Sequence, residues 1–423
     1  MAGGTLIVGA SQAGLQLAAS LRQFGDNRPI TLVGEEIHPP YQRPPLSKEF
    51  LSRESDAESL ALRAPSYYAD AGIDLVSGRR VTEVTLASSG RPGSGVARTA
   101  DGRSFPFDRL ALTVGAAPRR LSVPGADLDG ISCLRDRDDA ADLRGRLESS
   151  ARVVVVGGGF IGLEVAAAAR ALGKEVTVVE AAERLISRAV APVVSEFYRQ
   201  AHLRRGTRVL LSATVAGFEG ADGRVTAVRL ADGAVLPADL VVVGVGVVPR
   251  TELAEQLGLA CDRGIVVDAH ARTSNPHIRA AGDCTVQPHP VTGVGTVRLE
   301  SVQNAVAQAT TAAASLLGRP VGAAPVPWFW SYQGDLKLQI AGLSTGYDEY
   351  VVRGEPDSER FSVLYYRQGE LLAIDAVNSP ADYMAVRRAL MDGSSVPPSL
   401  AGDPGTPLKS LLAARRRPAV PSP

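Results

Sequence analysis

The sequence predicts an α/β protein that ends in a separate antiparallel α+β domain. Two segments, residues 5–35 and 152–180, each contain a buried aliphatic strand, a glycine turn, a helix and a second short strand that ends in an acid. This order is typical of a Rossmann-type unit that binds a dinucleotide. From residue 328 onward, short stretches of alternating apolar and polar residues indicate antiparallel strands instead.

The first unit leaves its aliphatic strand at Gly9 and passes through Ser11 and Gly14 into an amphipathic helix. Gly9 permits the tight turn, Gly14 lets helix and strand approach closely, and N–H groups at the helix start can meet a pyrophosphate. Ser11 stands where the middle glycine usually lies, and its small side chain leaves room for the phosphates. Glu35 ends the second strand, where such units keep the carboxylate that binds an adenosine ribose.

The segment after Glu35 contains a proline pair, Pro44 and Pro45, that suits the first positions of a short helix carrying Lys48. Arg43 and Lys48 would add positive charge suited to phosphates or to an anionic reduced flavin. Two solvated surface residues are an equally good interpretation of this pair.

The second unit has a complete G-x-G-x-x-G motif at Gly157, Gly159 and Gly162, after four consecutive valines. Its second strand ends at Glu180. A carboxylate there suits a free ribose 2′-hydroxyl and repels a 2′-phosphate, so NADH is favoured over NADPH. Two such units imply two dinucleotides, one a tightly held flavin and the other an exchanging nicotinamide.

The remaining predictions follow from apolar periodicity and turn residues. They are, in chain order, a helix over 59–71, a strand over 73–85, a hairpin tip at 87–95, a strand over 109–114, a meander over 209–248, a short strand before the Gly-Asp pair of 278–284, a helix over 300–317, a helix over 381–391 and a short tail helix within 406–417.

Composition restricts the function further. The 45 basic and 45 acidic residues balance, which gives no reason to expect nucleic-acid binding. No leader-like segment precedes the first strand, and no apolar run approaches the roughly 18 residues of a membrane span. We therefore expect a soluble cytoplasmic protein without membrane association.

The cysteines and histidines indicate neither a redox disulfide nor a metal site. The three cysteines, Cys133, Cys261 and Cys284, lie far apart in the sequence and form no C-x-x-C pair. The five histidines form no H-E-x-x-H or similar cluster. We expect no bound metal.

The motifs together resemble those of the FAD-dependent NADH:ferredoxin reductases of oxygenase systems. They are Glu35, YQRPPLSK at 41–48, the second glycine motif, AAGDC at 280–284 and PWFWS at 327–331, in this order. The resemblance runs from residue 6 to about residue 413. It implies a glutathione-reductase-like fold, with an FAD-binding domain over 1–112 and 246–318, an NAD-binding domain over 113–245 and a C-terminal domain over 319–423.

The resemblance, together with the glycine motifs, implies which residues bind the two cofactors. FAD is expected at Gly9, Ser11, Ala13, Gly14, Glu35, Arg43, Lys48, Val81, Gly115, Arg135, Asp283, Val302 and Trp330. NAD is expected at Gly157, Gly159, Phe160, Ile161, Gly162 and Glu180.

Individual roles come from the same resemblance. Arg43 and Arg135 are expected to bind the diphosphate, Asp283 the ribityl chain and Val302 the pyrimidine end of the flavin. Where the family usually has Ala-Thr-Gly, this chain has Thr-Val-Gly at 113–115 and lacks one hydroxyl.

The expected catalytic residues are Lys48, Glu164, Phe160 and Trp330. Lys48 would lie near flavin N5 and stabilise the reduced ring, and Glu164 would pair with Lys48. Phe160 would be an aromatic gate for the nicotinamide, which delivers hydride to the flavin. Trp330 would lie beside the ring.

The expected electron acceptor is an iron–sulfur ferredoxin docked near Trp330, which serves a haem monooxygenase or a ring-hydroxylating dioxygenase. Disulfide reductases of this fold carry a cysteine pair where this chain has PPLSKEF at 44–50, so electrons cannot leave through a dithiol. Four basic residues are candidates for steering an acidic ferredoxin: Arg298, Lys337, Arg387 and Arg388. We expect a monomer or a weak dimer.

Two other functions fit the sequence. One is an NADH oxidase or rubredoxin reductase, and the other is a flavin-loaded redox sensor or interaction protein. Steady NADH oxidation without ferredoxin would favour the oxidase, and slow reoxidation by every ferredoxin would favour the sensor.

Overall fold

The computed structural model describes residues 4–291 and 293–412. The chain divides into two compact units. Unit 1 contains the chain up to Arg43 together with Ala57–Ala117 and Val247–Pro325. Unit 2 contains Pro44–Asp56, Pro118–Gly246 and the chain from Val326 onward. The three-domain division expected from the sequence stays a prediction.

The helices and strands have the following bounds. The strands are β1 Gly4–Val8, β2 Ile30–Val33, β3 Ile73–Val76, β4 Val81–Leu86, β5 Gly95–Thr99, β6 Ser104–Leu112, β7 Ala116–Pro118, β8 Ile131–Ser132, β9 Arg152–Val156, β10 Glu175–Val179, β11 Arg208–Leu210, β12 Val215–Ala221, β13 Arg224–Leu230, β14 Val235–Pro237, β15 Leu240–Val243, β16 Val247–Pro249, β17 Ile265–Val266, β18 Ile278–Ala280, β19 Thr285–Pro288, β20 Thr296–Val297, β21 Trp328–Gln333, β22 Leu336–Gly342, β23 Glu349–Glu355, β24 Arg360–Arg367 and β25 Glu370–Val377. The α-helices are α1 Gln12–Gln23, α2 Ser66–Asp70, α3 Arg137–Ser149, α4 Phe160–Ala171, α5 Pro192–Arg204, α6 Glu252–Gln256, α7 Val302–Leu316, α8 Pro380–Asp392, α9 Pro398–Ala401 and α10 Leu408–Leu411. Two 3₁₀ turns lie at Pro44–Ser47 and Pro356–Ser358.

Unit 1 is built on a seven-stranded sheet in the order β3-β2-β1-β6-β5-β4, with β18 also paired to β6. Strands β1, β2, β3, β6 and β18 run parallel, and β4 and β5 continue the sheet as antiparallel strands. Helices α1 and α7 pack on each other over this sheet, through Leu17 and Leu21 of α1 and Ala309 and Ala313 of α7. The small alanines of α7 allow this close approach. Helix α1 follows the carboxyl end of β1.

Unit 2 contains a parallel five-stranded sheet in the order β11-β10-β9-β15-β8 and a three-stranded meander, β12-β13-β14. All four valines of β9 are buried, as expected for a strand covered on both faces. Helix α4 packs on β9 and β10.

The C-terminal part of unit 2 is an antiparallel five-stranded sheet, β21-β22-β25-β24-β23, with α8 packed on β22 and β25. Its core contains a buried carboxyl group, Asp375. The Tyr365 hydroxyl donates to Asp375 and accepts the Ala191 N–H at 3.1 Å. Burial raises the pKa of Asp375 to about 7, against the opposing effect of the Tyr365 hydrogen bond.

Both strand–turn–helix units, the antiparallel C-terminal strands and the helices near 300–317 and 381–391 agree with the predictions from sequence. The helix predicted over 59–71 is wrong in its first half, and only Ser66–Asp70 is helical. Ala61 instead forms an isolated antiparallel bridge with Tyr41, in which the Gln42 N–H donates to the Leu60 carbonyl and the Leu62 N–H donates to the Pro40 carbonyl.

Four other elements have different bounds from those predicted. The strand expected over 73–85 is two strands, β3 and β4, separated at Gly78, which has φ +67°. The strand expected over 109–114 is longer at its start and ends at Leu112. The helix expected after Pro44 is a 3₁₀ turn that ends at Ser47, before Lys48. The predicted tail helix is limited to Leu408–Leu411, and the rest of that prediction, from residue 413, lies outside the described residues.

Candidate functional site

The first glycine turn lies between β1 and α1 in unit 1. Gly9 has φ +112°, and a Cβ there would lie 2.2 Å from the Thr113 carbonyl oxygen. A Cβ at Gly14 would lie 2.0 Å from the Gly9 carbonyl oxygen. Ser11 is the N-cap of α1 but makes no side-chain capping bond. The first-turn N–H groups of α1 are therefore available for an anionic ligand such as a pyrophosphate.

Basic side chains surround this turn and the end of β2. Arg43 pairs with Glu36, and its Nε lies 3.4 Å from Ser11 Oγ, which brings a positive charge to the glycine turn. Glu35 accepts from Arg250, and its other oxygen lies 3.4 Å from Arg80. A ribose bound to Glu35 would share this carboxylate with two guanidinium groups. Arg250 was missed by sequence reasoning because 215 residues separate it from Glu35.

Other residues predicted for FAD binding also lie in unit 1. Gly282, which precedes Asp283, has φ +87°, and a Cβ there would lie 3.2 Å from the Ala13 side chain. The structure thus brings the AAGDC turn against the start of α1. Val302 is the first residue of α7, Gly115 follows β6 in the left-handed region, and Val81 begins β4.

The second glycine turn lies between β9 and α4 in unit 2. A Cβ at Gly157 would lie 2.4 Å from the Gly244 carbonyl oxygen, and one at Gly162 would lie 2.1 Å from the Gly157 carbonyl oxygen. Gly159 differs, since no atom lies within 4 Å of its Cβ position. The outer glycines are therefore required by packing, whereas Gly159 faces open space where a phosphate can approach the backbone.

Glu180 lies at the end of β10, beside this turn. Its carboxylate accepts the Gly158 N–H at 2.6 Å and the Ala182 N–H at 2.7 Å. These bonds hold a negative charge next to the open glycine. The arrangement fits a dinucleotide whose ribose hydroxyls are free.

Phe160 and Ile161 begin α4. Phe160 is half-buried and packs on Phe329, with ring centroids 4.7 Å apart, and Ile161 is 44% exposed. Both side chains lie directly after Gly159, at the mouth of the glycine turn. The swing of Phe160 as a gate stays a prediction.

Lys48 and Glu164 form a buried ion pair in unit 2. Lys48 Nζ donates to Glu164 Oε2 at 2.7 Å, and Ser47 Oγ donates to the same oxygen at 2.5 Å. Ser331 Oγ donates to Oε1 at 2.6 Å. Burial raises the pKa of Glu164, against the lowering effects of Lys48, Ser331 and Ser47. One carboxylate therefore receives three hydrogen bonds inside an apolar core.

Sequence reasoning did not find Ser47 or Ser331 as partners of Glu164. Both residues lie inside motifs that were recognised, PPLSKEF and PWFWS. Strand alternation was the signal that could have found Ser331, because it points away from the face that carries Trp330.

Trp330 lies on β21 of unit 2 and stacks on Trp328, with ring centroids 5.5 Å apart and an interplanar angle of 28°. The Arg387 guanidinium lies 4.6 Å from the Trp328 centroid. Lys337 lies over Tyr332 at 5.7 Å. Cation–π contacts of this kind fix a basic side chain beside an aromatic surface.

Three other basic residues of the predicted sites make local contacts. Arg388 pairs with Asp392 on α8, and Arg298 of unit 1 pairs with Glu300. Arg135 lies in unit 2 just before α3, and its N–H donates to Asp139 at 2.9 Å.

Within the described residues, no group of three His, Cys, Asp or Glu side chains could hold a metal ion, and all three cysteines are free. None of the helices in that part of the chain is both long and apolar enough to cross a membrane.

Comparison with known proteins identifies the family. Residues 4–309 match the pyridine nucleotide-disulphide oxidoreductase family, and residues 328–412 match the reductase C-terminal family. Rhodocoxin reductase of Rhodococcus erythropolis is 46% identical over 408 residues, which cover 96% of this chain and 94% of that protein. Putidaredoxin reductase of Pseudomonas putida is 41% identical over 416 residues, with 97% of each chain covered.

A solved structure supports the same assignment. A ferredoxin reductase from Rhodopseudomonas palustris has a TM-score of 0.91 and 43% identity, covering 97% of this chain and 100% of that one. A rubredoxin-NAD(+) reductase of Pseudomonas putida is also similar, with 38% identity over 375 residues that cover 89% of this chain and 96% of that protein.

These matches confirm the resemblance, the glutathione-reductase-like fold class and the two cofactors predicted from the sequence. The chain belongs to the pyridine nucleotide-disulphide oxidoreductase family and is an FAD-dependent oxidoreductase that uses NAD(H).

Proposed function

We propose that this chain is the ferredoxin reductase of an oxygenase system, which passes electrons from NADH to an iron–sulfur ferredoxin. The observation that carries the proposal is the segment around Lys48. It supplies a buried ion pair with Glu164, at the place where disulfide reductases of this fold carry two cysteines. Full-length similarity to enzymes named as reductases of ferredoxin-type partners supports it.

FAD would supply the redox chemistry when bound, because a flavin can accept two electrons together and pass them on singly. The N–H groups at the start of α1 and the Arg43 guanidinium offset the charge of its pyrophosphate. Glu35 and Asp283 bind hydroxyl groups of its ribose and ribityl chain.

Lys48 and Glu164 carry the electrostatic part of the reaction. The ammonium of Lys48 stabilises negative charge that develops on the reduced ring. Glu164 holds that ammonium at 2.7 Å, so little reorganisation is needed when the charge appears.

The NADH end of the reaction depends on the second glycine turn. Glu180 accepts hydrogen bonds from ribose hydroxyls and repels a 2′-phosphate, which gives the preference for NADH. Phe160 closes the nicotinamide site against water.

Electrons leave near Trp330 to a ferredoxin that serves a monooxygenase or dioxygenase. The stacked pair of Trp328 and Trp330, with Arg387 beside it, offers an aromatic surface with a fixed positive charge. An acidic ferredoxin is the partner that this charge favours.

Anaerobic stopped-flow mixing tests the proposal. NADH should bleach the flavin absorbance of the holoenzyme, and a ferredoxin encoded nearby should restore it within the turnover time. Flavin that NADH reduces but that stays reduced with every ferredoxin tested, and is reoxidised only after oxygen is admitted, would contradict the proposal and favour an oxidase.

A rubredoxin reductase is the second candidate, and the similarity to the rubredoxin-NAD(+) reductase of Pseudomonas putida favours it. The same experiment separates the two functions when rubredoxin replaces ferredoxin. We expect the ferredoxin to be reduced faster at equal concentration.

A further inference from the structure

A chain of buried hydrogen bonds continues from Glu164 into the interior of unit 2. Gln333 Nε2 donates to Ser331 Oγ at 3.3 Å, and His202 Nε2 lies 2.8 Å from Gln333 Oε1. The exposed fractions of Glu164, Ser331, Gln333 and His202 are 3%, 0%, 1% and 2%. Four polar side chains thus meet in a region that is otherwise packed with apolar residues.

The direction of this chain follows from the number of protons available. Ser331 has a single hydroxyl proton, which it donates to Glu164 Oε1, so it accepts from Gln333. That fixes the amide with its nitrogen toward Ser331 and its oxygen toward His202. An amide oxygen only accepts, so His202 Nε2 carries a proton and donates it. Every bond in the chain therefore points toward Glu164.

Strand β21 and two helices build this arrangement. Phe329, Ser331 and Gln333 alternate along β21 and share one face. On α4, Phe160 and Glu164 are one turn apart and lie on the same side of the helix. Phe329 of β21 packs on Phe160, and Ser331 of β21 donates a hydrogen bond to Glu164. His202 of α5 completes the row at Gln333.

Such a row of buried polar side chains would destabilise the core if any member were left without a hydrogen bond. Burial lowers the pKa of His202, so this ring enters the chain as a neutral donor. A row of neutral donors aimed at one carboxylate favours the anionic form of that carboxylate.

We propose that Ser331, Gln333 and His202 are positioning residues that hold Glu164 as a fixed anion and, through it, fix the Lys48 ammonium. The effect on the reaction rate rests on the proposed function. The effect on the ionisation of Glu164 does not, and it is measured separately.

The test compares Ser331→Ala with a matched control, Ser362→Ala. Ser362 is also fully buried, lies on β24 of the same sheet, and donates to the Asp382 carboxylate at 3.1 Å. Each change removes one serine-to-carboxylate hydrogen bond, so both variants should melt at lower temperature than the parent. Only Ser331→Ala should act on Glu164.

The decisive readout is the carboxyl infrared band of Glu164, identified by its loss in Glu164→Gln. In Ser331→Ala this band should titrate at higher pH than in the parent holoenzyme, and in Ser362→Ala it should not move. Unchanged titration of Glu164 in Ser331→Ala would overturn the proposal. Ser331→Thr keeps the hydroxyl and should restore the parent titration.

The kinetic readout is anaerobic flavin reduction by NADH. Ser331→Ala should slow this step about three- to tenfold, the range expected when one hydrogen bond to a charged group is lost and only part of its effect reaches the reacting atoms. The Kd for NADH should stay at the parent value. If NADH does not reduce the flavin of the parent protein, the proposed function is wrong. The titration of Glu164 still tests whether Ser331, Gln333 and His202 position this carboxylate.

The tautomer of His202 gives an independent check. ¹⁵N NMR of the labelled protein should show the proton of the neutral ring on Nε2. A proton on Nδ1 alone would reverse the direction of the chain and overturn the proposal.

Discussion

The buried carboxyl group of Asp375 should make the stability of unit 2 depend on pH, and the substitution Asp375→Asn should remove that dependence. The carboxyl group is 1% exposed, and the Tyr365 hydroxyl is its hydrogen-bond donor. Burial raises its pKa from the ordinary 3.8 to about 7. Asp375→Asn replaces this group with a neutral amide of similar shape, so the part of the pH dependence due to Asp375 should vanish.

The magnitude follows from the size of the pKa change. Each unit corresponds to about 1.4 kcal/mol, so the rise from 3.8 to about 7 amounts to about 4 kcal/mol for this buried group. Because the folded pKa is raised, the native state binds the proton more tightly than the unfolded chain. The contribution of protonated Asp375 to the free energy of unfolding is therefore fully present below about pH 4 and is lost as the pH rises through about 7. About 2–3 kcal/mol of this loss falls between pH 5 and pH 8.

Urea denaturation of the holoenzyme at pH 5 and pH 8 measures this difference. The stability of Asp375→Asn relative to the parent should rise by about 2–3 kcal/mol from the lower to the higher pH. Tyr365→Phe is the matched variant with the opposite expected effect, because it removes the hydrogen bond that favours the ionised carboxylate of Asp375. Its loss of stability between pH 5 and pH 8 should be larger than that of the parent. Parallel pH profiles for the parent and Asp375→Asn would refute the assignment of the raised pKa to Asp375.

Four further outcomes are expected. Lys48→Ala should slow anaerobic flavin reduction by NADH at least about tenfold, because the charge that stabilises the reduced ring is lost; an unchanged stopped-flow rate would contradict its role. Glu180→Gln should lower the ratio of kcat/KM for NADH to that for NADPH by about tenfold, since the repulsion of a 2′-phosphate is removed, as steady-state assays with both nucleotides will show. Gly162→Ala should lower the melting temperature sharply, because its Cβ would lie 2.1 Å from a backbone oxygen, whereas Gly159→Ala should melt as the parent does and bind NADH more weakly in a titration. Arg387→Gln should slow ferredoxin reduction and reduce its dependence on salt without changing flavin reduction by NADH.

The parts of the site that follow local rules were predictable from the sequence. Gly157, Gly162 and Glu180 lie within one strand–turn–helix–strand unit, where spacing along the chain determines position in space. The isolated bridge between Ala61 and Tyr41 was not predictable in this way, since it joins residues that are far apart in the sequence.

Contacts between distant segments needed more than spacing. Lys48 and Glu164 are 116 residues apart, and only the family resemblance indicated that they pair. Nothing in the sequence joined Ser331, Gln333 and His202 to that pair, because their meeting depends on how β21 packs against α4 and α5. The same holds for Arg250 at Glu35.

Strand β21 constrains how this enzyme could be adapted to a new electron acceptor. Trp328 and Trp330 lie on one face of this strand, where we propose that electrons leave, and Ser331 and Gln333 lie on the other, where they support Glu164. A backbone shift that reshapes the tryptophan surface for another partner would also displace the support of Glu164. Engineering of partner choice should therefore succeed more readily through α8, which carries Arg387 and Arg388, than through this strand.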